Sequence, residues 1–127
     1  MNEKFSIDLT PDADGDSSGG LVVQRPSYVA VEIKNTGANP VTAFAIEGQV
    51  SPEADWFTYV DGAELVDATK GFQYRDDAAI APASIGSGET LNLVFEIVAL
   101  AKIRFKVTSA SGTTLTLKGQ VFAKFEG

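Results

Sequence analysis

At 127 residues, 44% hydrophobic and 21% charged, the chain has the length of one domain with its own core, and its composition excludes wholesale disorder. It has no cysteine and no histidine, which removes disulfides, thiolate nucleophiles, imidazole bases and the usual zinc ligands. A net charge of −7 argues against nucleic-acid binding, which needs clustered Lys and Arg, and no apolar run approaches the roughly 20 residues of a membrane-spanning helix. The start, Met1 to Ser6, lacks a basic region followed by an apolar stretch, so synthesis in a cytoplasm is expected, with no membrane partner.

Lys4 to Leu9 alternates Phe5, Ile7 and Leu9 with Lys4, Ser6 and Asp8, the period of a half-buried strand, and Thr10-Pro11 closes it. Its place at the start of the chain predicts an edge strand, or an arm over residues 1–5. Asp12 to Gly20 is an acidic, glycine-rich loop. Asp12, Asp14 and Asp16 have the alternate spacing of calcium ligands, but an EF-hand register from Asp12 would need Gly at Ser17 and a bidentate Glu at Val23. A solvated surface loop without metal is expected, and no cofactor anywhere in the chain.

Leu21 to Gln24 and Tyr28 to Lys34 read as strands separated by Arg25-Pro26-Ser27; in the second, Val29, Val31 and Ile33 share a face opposite Ala30, Glu32 and Lys34. Asn35 to Pro40 is a turn by its residues. Val41 to Val50 carries apolar residues on both parities, which predicts cover on both faces, and Gly48 marks a bulge or the close approach of another backbone. Residues 51–87 change texture, with an aromatic cluster, scattered carboxylates and short strands at Trp56 to Val60 and Gly71 to Arg75. An excursion of this length in a compact domain is expected to be a contact segment. Leu91, Leu93, Phe95 and Ile97 then alternate with Asn92, Val94 and Glu96. Lys102 to Thr108, the turn Ser109 to Gly112, and Thr114 to Phe125 read as the most legible hairpin in the chain.

These elements predict an all-β chain: a single antiparallel β-sandwich domain over 1–127, of jelly-roll or Greek-key type. An internal similarity accompanies them. Val31-Glu32-Ile33-Lys34, a turn, and Ile46-Glu47-Gly48-Gln49-Val50 resemble Ile103-Arg104-Phe105-Lys106, a turn, and Leu117-Lys118-Gly119-Gln120-Val121. Glu32 exchanges for Arg104 and Glu47 for Lys118, so charge reverses while the apolar positions are kept. Two such hairpins, one in each sheet, would give a sandwich with internal symmetry, although strand alternation is generic enough to produce the same likeness.

No catalytic constellation is present, and a non-enzyme is expected. Asp55, Asp61, Asp76 and Asp77 offer the carboxylates that glycoside hydrolysis needs, without any signal that pairs them. Trp56, Phe57 and Tyr59 have the flat faces that stack on sugars, yet large aromatics more often fill a core or an interface. Lys102, Arg104 and Lys106 form a basic stripe fit for an acidic partner or for plain solvent. Partner contact is placed on Lys4 and Phe5, on Trp56, Phe57 and Tyr59, and on Phe72, Tyr74 and Arg75.

Gly86-Ser87-Gly88-Glu89-Thr90-Leu91, then Ala101 to Thr113 and a last strand running almost to the terminus, resemble small structural proteins of tailed-phage virions, in texture more than in any diagnostic motif. Within that group a short acidic all-β chain is most similar to capsid decoration, or cement, proteins. The resemblance implies a β-sandwich or jelly roll on the outer capsid surface, as a homo-oligomer, often a trimer, tying neighbouring capsomers of the major capsid protein together. It transfers no catalytic residues. A tail or head-to-tail connector component, and a carbohydrate-binding or adhesion module, are the alternative expectations.

Overall fold

The computed structural model describes residues 3–23, 27–61, 73–75, 82–97 and 100–123. Its strands are β1 (Glu3–Leu9), β2 (Asp16–Ser17), β3 (Leu21–Val22), β4 (Ser27–Asn35), β5 (Ala43–Gln49), β6 (Phe57–Asp61), β7 (Gln73–Arg75), β8 (Thr90–Ile97), β9 (Lys102–Thr108) and β10 (Leu115–Ala123). Period-two alternation sorts their side chains. In β4 the residues Ser27, Val29, Val31, Ile33 and Asn35 are buried, while Tyr28, Glu32 and Lys34 stay exposed. Leu91, Leu93, Phe95 and Ile97 of β8 and Ile103, Phe105 and Val107 of β9 are likewise buried. The inward sets of two sheets meet in one core, each side chain of this size contributing about 1.5–3 kcal/mol by leaving water.

One sheet has the order β1-β10-β4-β8-β7, and the other β2-β9-β5-β6, with β3 also on β9. β2 and β3 are two halves of one interrupted strand. Between them the Ser18 amide donates to Phe105 O and the Phe105 amide to Ser18 Oγ, each at 2.9 Å, so a side chain replaces the backbone acceptor where the ladder breaks. Counting β2 and β3 as one, β1 pairs with β10, β2/β3 with β9, β4 with β8, and β5 with β6. This nesting is that of a long hairpin rolled on itself, and the jelly-roll alternative is therefore the one realised.

The hairpin expected from Lys102 to Phe125 does not form. β9 lies in one sheet, on β5, and β10 in the other, on β4 and β1. Alternation reports which face of a strand is dry but not which strand lies beside it, and both segments are dry on one face because each lines the same core from opposite sides. The turn does exist, with Gly112 at φ 83° and its amide donating to Ser109 O, but Thr113 and Thr114 then carry the chain across the sandwich. β4 and β5 are split in the same way. Both segments are arches between sheets, and neither is a hairpin within one.

The internal similarity thereby acquires a geometric meaning. Val31, Glu32 and Ile33 lie opposite Gly119, Lys118 and Leu117, while Ile103, Arg104 and Phe105 lie opposite Gly48, Glu47 and Ile46. Exchanging the two arches maps each of these pairs onto the corresponding one, an approximate two-fold relation. The reversed charges fit it, since each of these two equivalent outward pairs joins one acid and one base: Glu32 faces Lys118, and Arg104 faces Glu47. The two glycines correspond as well. A Cβ on Gly119 would collide with Ala30 O, and one on Gly48 would sit 2.8 Å from Leu100 Cδ1. β5 is covered on both faces from Ile46 to Gln49 and has an irregularity against β6 between Ile46 and Glu47, as Gly48 led us to expect.

Phe105 is the hub of the core. Its ring centroid lies 5.9 Å from Phe5, 6.2 Å from Phe44 and 6.4 Å from Phe95, the last edge-on at 86°. At one end of the sandwich the two arches cross, and the side chain of Asn35 is fully buried there. Its Nδ2 donates to Asn39 O at 2.9 Å and Ile85 O at 3.0 Å, and its Oδ1 accepts from the Gly37 amide at 3.1 Å and Thr113 Oγ1 at 2.7 Å. Asn39 Nδ2 donates to Ser111 O and Gly112 O, and the Thr36 amide to Thr114 O, so each arch loop holds the other.

Replacing Asn35 by leucine of similar size leaves several buried polar groups without partners, and a loss of about 3 kcal/mol is expected. Asn39→Ala, at a partly exposed site, should cost about 1 kcal/mol. Urea unfolding of both variants checks this; equal costs would mean that the buried amide is not the tie described.

Candidate functional site

Alternation forces the basic residues of β9 outward, and the structure shows what they meet. Arg104 Nε lies 2.6 Å from Glu47 Oε1, and its guanidinium carbon sits 4.4 Å from the centroid of the Trp56 ring. The indole also lies beside Gly20, where a Cβ would come within ordinary van der Waals contact, 3.4 Å, of Trp56 Cη2. Glu47 is 12% and Arg104 26% exposed, so pair and stack are partly desolvated, and worth more than an open surface contact. One side of the Trp56 ring is thus occupied by the chain's own arginine. The basic stripe is divided by use, with Arg104 engaged and Lys106 exposed at its end.

The outer face of the other sheet has a different character. Ala30 and Gly119 are small, and a shallow groove of about 520 Å³ opens over them, between Phe122 and Val94 on one side and Lys4, Lys118, Glu32 and Asn92 on the other. Phe122 lies directly opposite Tyr28, and Val94 opposite Ala30. Among the described residues the large apolar side chains left exposed are Val22, Tyr28, Val50, Phe57, Val94 and Phe122. All six lie in the half of the sandwich away from the Asn35 crossing, where β3, β5, β8 and β10 end and β4 and β6 begin. One end is laced by polar groups and the other presents apolar ones.

The acidic loop is used structurally. Asp12 Oδ1 accepts from the Asp14 amide at 2.9 Å and Asp16 Oδ2 from the Thr10 amide at 3.0 Å, and Asp16 and Ser17 pair with Val107 and Lys106. Among the described residues no three Asp or Glu side chains are gathered as a metal site would gather them.

The residues expected to touch a partner are not brought to one place. Lys4 lines the outer groove, while Phe5, next to it, points inward to Phe105. Of the arm expected over 1–5, residues 3–5 belong to β1, paired with β10. Trp56 is half-buried under Arg104, Phe57 is 41% exposed near Gly48, and Tyr59 packs against the core with its hydroxyl 3.4 Å from Glu96 O. Phe72 lies outside the described residues. Tyr74 and Arg75 belong to β7, their backbones opposite Val94 and Leu93, and their side chains are outside the described set. Sequence reasoning passed over Tyr28, Val94 and Phe122. The signal was present, since each is a large apolar residue at the outward parity of an alternating strand.

No protein-family model and no curated protein matches the chain. Among solved structures it is similar to the SPBc2 prophage-derived protein YomS, with 15% identity, a TM-score of 0.57, and 97% of this chain and 96% of that chain covered. It is also similar, at 13% identity and a TM-score of 0.47 over 98% and 88% of the two chains, to a chain from the disulfide-linked pili that form Bacillus endospore appendages. The first likeness is one of fold, along the full length; the second is too loose to argue from.

If Trp56, Arg104 and Glu47 form one unit, Arg104→Ala should cost about 1–2 kcal/mol and shift tryptophan emission to the red, because it uncovers the ring and strips Glu47 of its partner. A double-mutant cycle between Arg104 and Trp56 should return a coupling of about 1 kcal/mol. Additive costs with unchanged emission would contradict the stack.

Proposed function

We propose that the chain is a non-enzymatic structural protein of a phage virion, decorating the outer capsid surface and bridging neighbouring capsomers. The observation that carries this reading is the polarity of the sandwich: among the described residues, six large exposed apolar side chains lie in the half away from the end closed by its own hydrogen bonds, Val94 and Phe122 among them on the outer face of one sheet. Such a domain is suited to stand on a protein surface by its apolar end, with contact area in place of chemistry. The full-length likeness in fold to a prophage-derived protein supports a phage setting. A negative net charge keeps the chain soluble before it docks. The partner in this reading is the major capsid protein, and the Trp56 stack, filled on one side by Arg104, favours it over a sugar-binding module.

The test is cosedimentation of the purified chain with capsids that lack it. Binding is expected to raise the temperature at which the capsids open, and Phe57→Asp with Phe122→Asp, both at exposed sites, should weaken occupancy at least about tenfold by placing charge in a desolvated contact. No binding, or recovery of the chain from tails alone, would overturn the capsid role.

A further inference from the structure

The first strand is an edge that fits its own copy. Among the described residues β1 pairs with β10 on one side and with nothing on the other. Natural edges are blunted by proline, bulges, short length or inward charge, because an open ladder templates association. β1 has no proline, bulge or shortening: its seven residues contain neither proline nor glycine, its register with β10 is unbroken, and Lys4 and Asp8 lie exposed on its outward parity. Phe5 and Ile7 point into the sandwich yet remain half-buried, as edge residues with a neighbour on one side do.

We propose that two copies of this chain pair antiparallel through β1 about a two-fold axis at Ser6, joining their β1-containing sheets into one continuous sheet. The register follows from two conditions. Facing residues must share parity, or the dry face of one sheet would continue into the wet face of the other. Among such registers, the one centred on Ser6 pairs the whole strand, from Glu3 to Leu9, and it sets Lys4 opposite Asp8 of the partner subunit, twice by symmetry. It also sets Phe5 opposite Ile7 of the partner subunit on the inner face, covering the flanks that the single chain leaves half-exposed. Shifting either way by one parity step places Lys4 opposite Ser6 of the partner subunit or beyond the end of the strand, and the ion pairs are lost. A lysine that would guard an isolated edge here becomes half of a complementary set. The contact is two-fold, so it differs from the trimer that the family resemblance implies. It stands on the free protein, independently of any capsid.

Sedimentation equilibrium of the purified chain should give twice the 13.4 kDa protomer mass. Lys4→Glu sets a second carboxylate against Asp8 at both ends of the contact, and Asp8→Lys sets a second ammonium against Lys4; each alone should weaken self-association about tenfold or more, with circular dichroism unchanged. Mixed in equal amounts, the two variants should recover the dimer as a heterodimer, because each restores the opposite charges the other lacks, and the double variant should dimerise with itself. A monomer at every concentration, a trimer, or a dimer indifferent to both substitutions would overturn the proposal. Variants that weaken the dimer without recovering it on mixing would overturn it as well.

Discussion

The buried carboxamide of Asn35 is the tie on which the fold depends. It stands at the end of β4, a strand with neighbours on both sides in its sheet, at the point where the chain leaves for the other sheet. Two donors and two acceptors meet its four hydrogen-bonding positions, and they come from its own loop, from the carbonyl of Ile85 and from Thr113 in the second arch. A polar group so placed costs stability wherever one partner is missing and adds specificity where all are present. It fixes how the arches cross, and with that the register of the strands that leave the crossing.

From that crossing the internal symmetry follows. Two arches of similar sequence embrace so that β4 lies on β10 and β5 on β9, with Val31 against Gly119 and Ile103 against Gly48. Glycine recurs at the matched positions because a Cβ would meet neighbouring atoms at both. Acid and base change places between the arches, since complementarity holds within each cross-strand pair and not within each arch. The same symmetry leaves one outward pair, Glu47 with Arg104, roofed by Trp56, and the other, Glu32 with Lys118, at the rim of an open groove.

Much of this was legible in the residues. Alternation identified the inward sets of β4, β8 and β9, and Gly48 announced the irregularity beside it, although what approaches it closely is the Leu100 side chain and not another backbone. The layer architecture was legible because one-faced strands in such number must turn their dry faces toward one another across a shared core. Strand neighbours were not, because a period of two is blind to whether a turn returns beside its own strand or crosses to the facing sheet; Ser109 to Gly112 was read the first way and leads into the second. The candidate site suffered from another limit. Aromatic type drew attention to Trp56, but its cover comes from Arg104, a residue 48 positions away that shares no local pattern with it. Parity, applied to Tyr28, Val94 and Phe122, would have marked the apolar end directly.

In the role proposed above, what matters is surfaces held rigidly, and the rigidity rests on the crossed arches. Nuclear Overhauser contacts between α-protons across the strands are the sharpest test of that crossing. Crossed arches predict close contacts within the pairs Val31 with Gly119 and Ile103 with Gly48, whose Cα positions are partners, and none linking the facing residues of Lys102 to Thr108 with those of Leu115 to Ala123. A ladder of contacts between these last two segments would make them a hairpin in one sheet and would contradict the crossing.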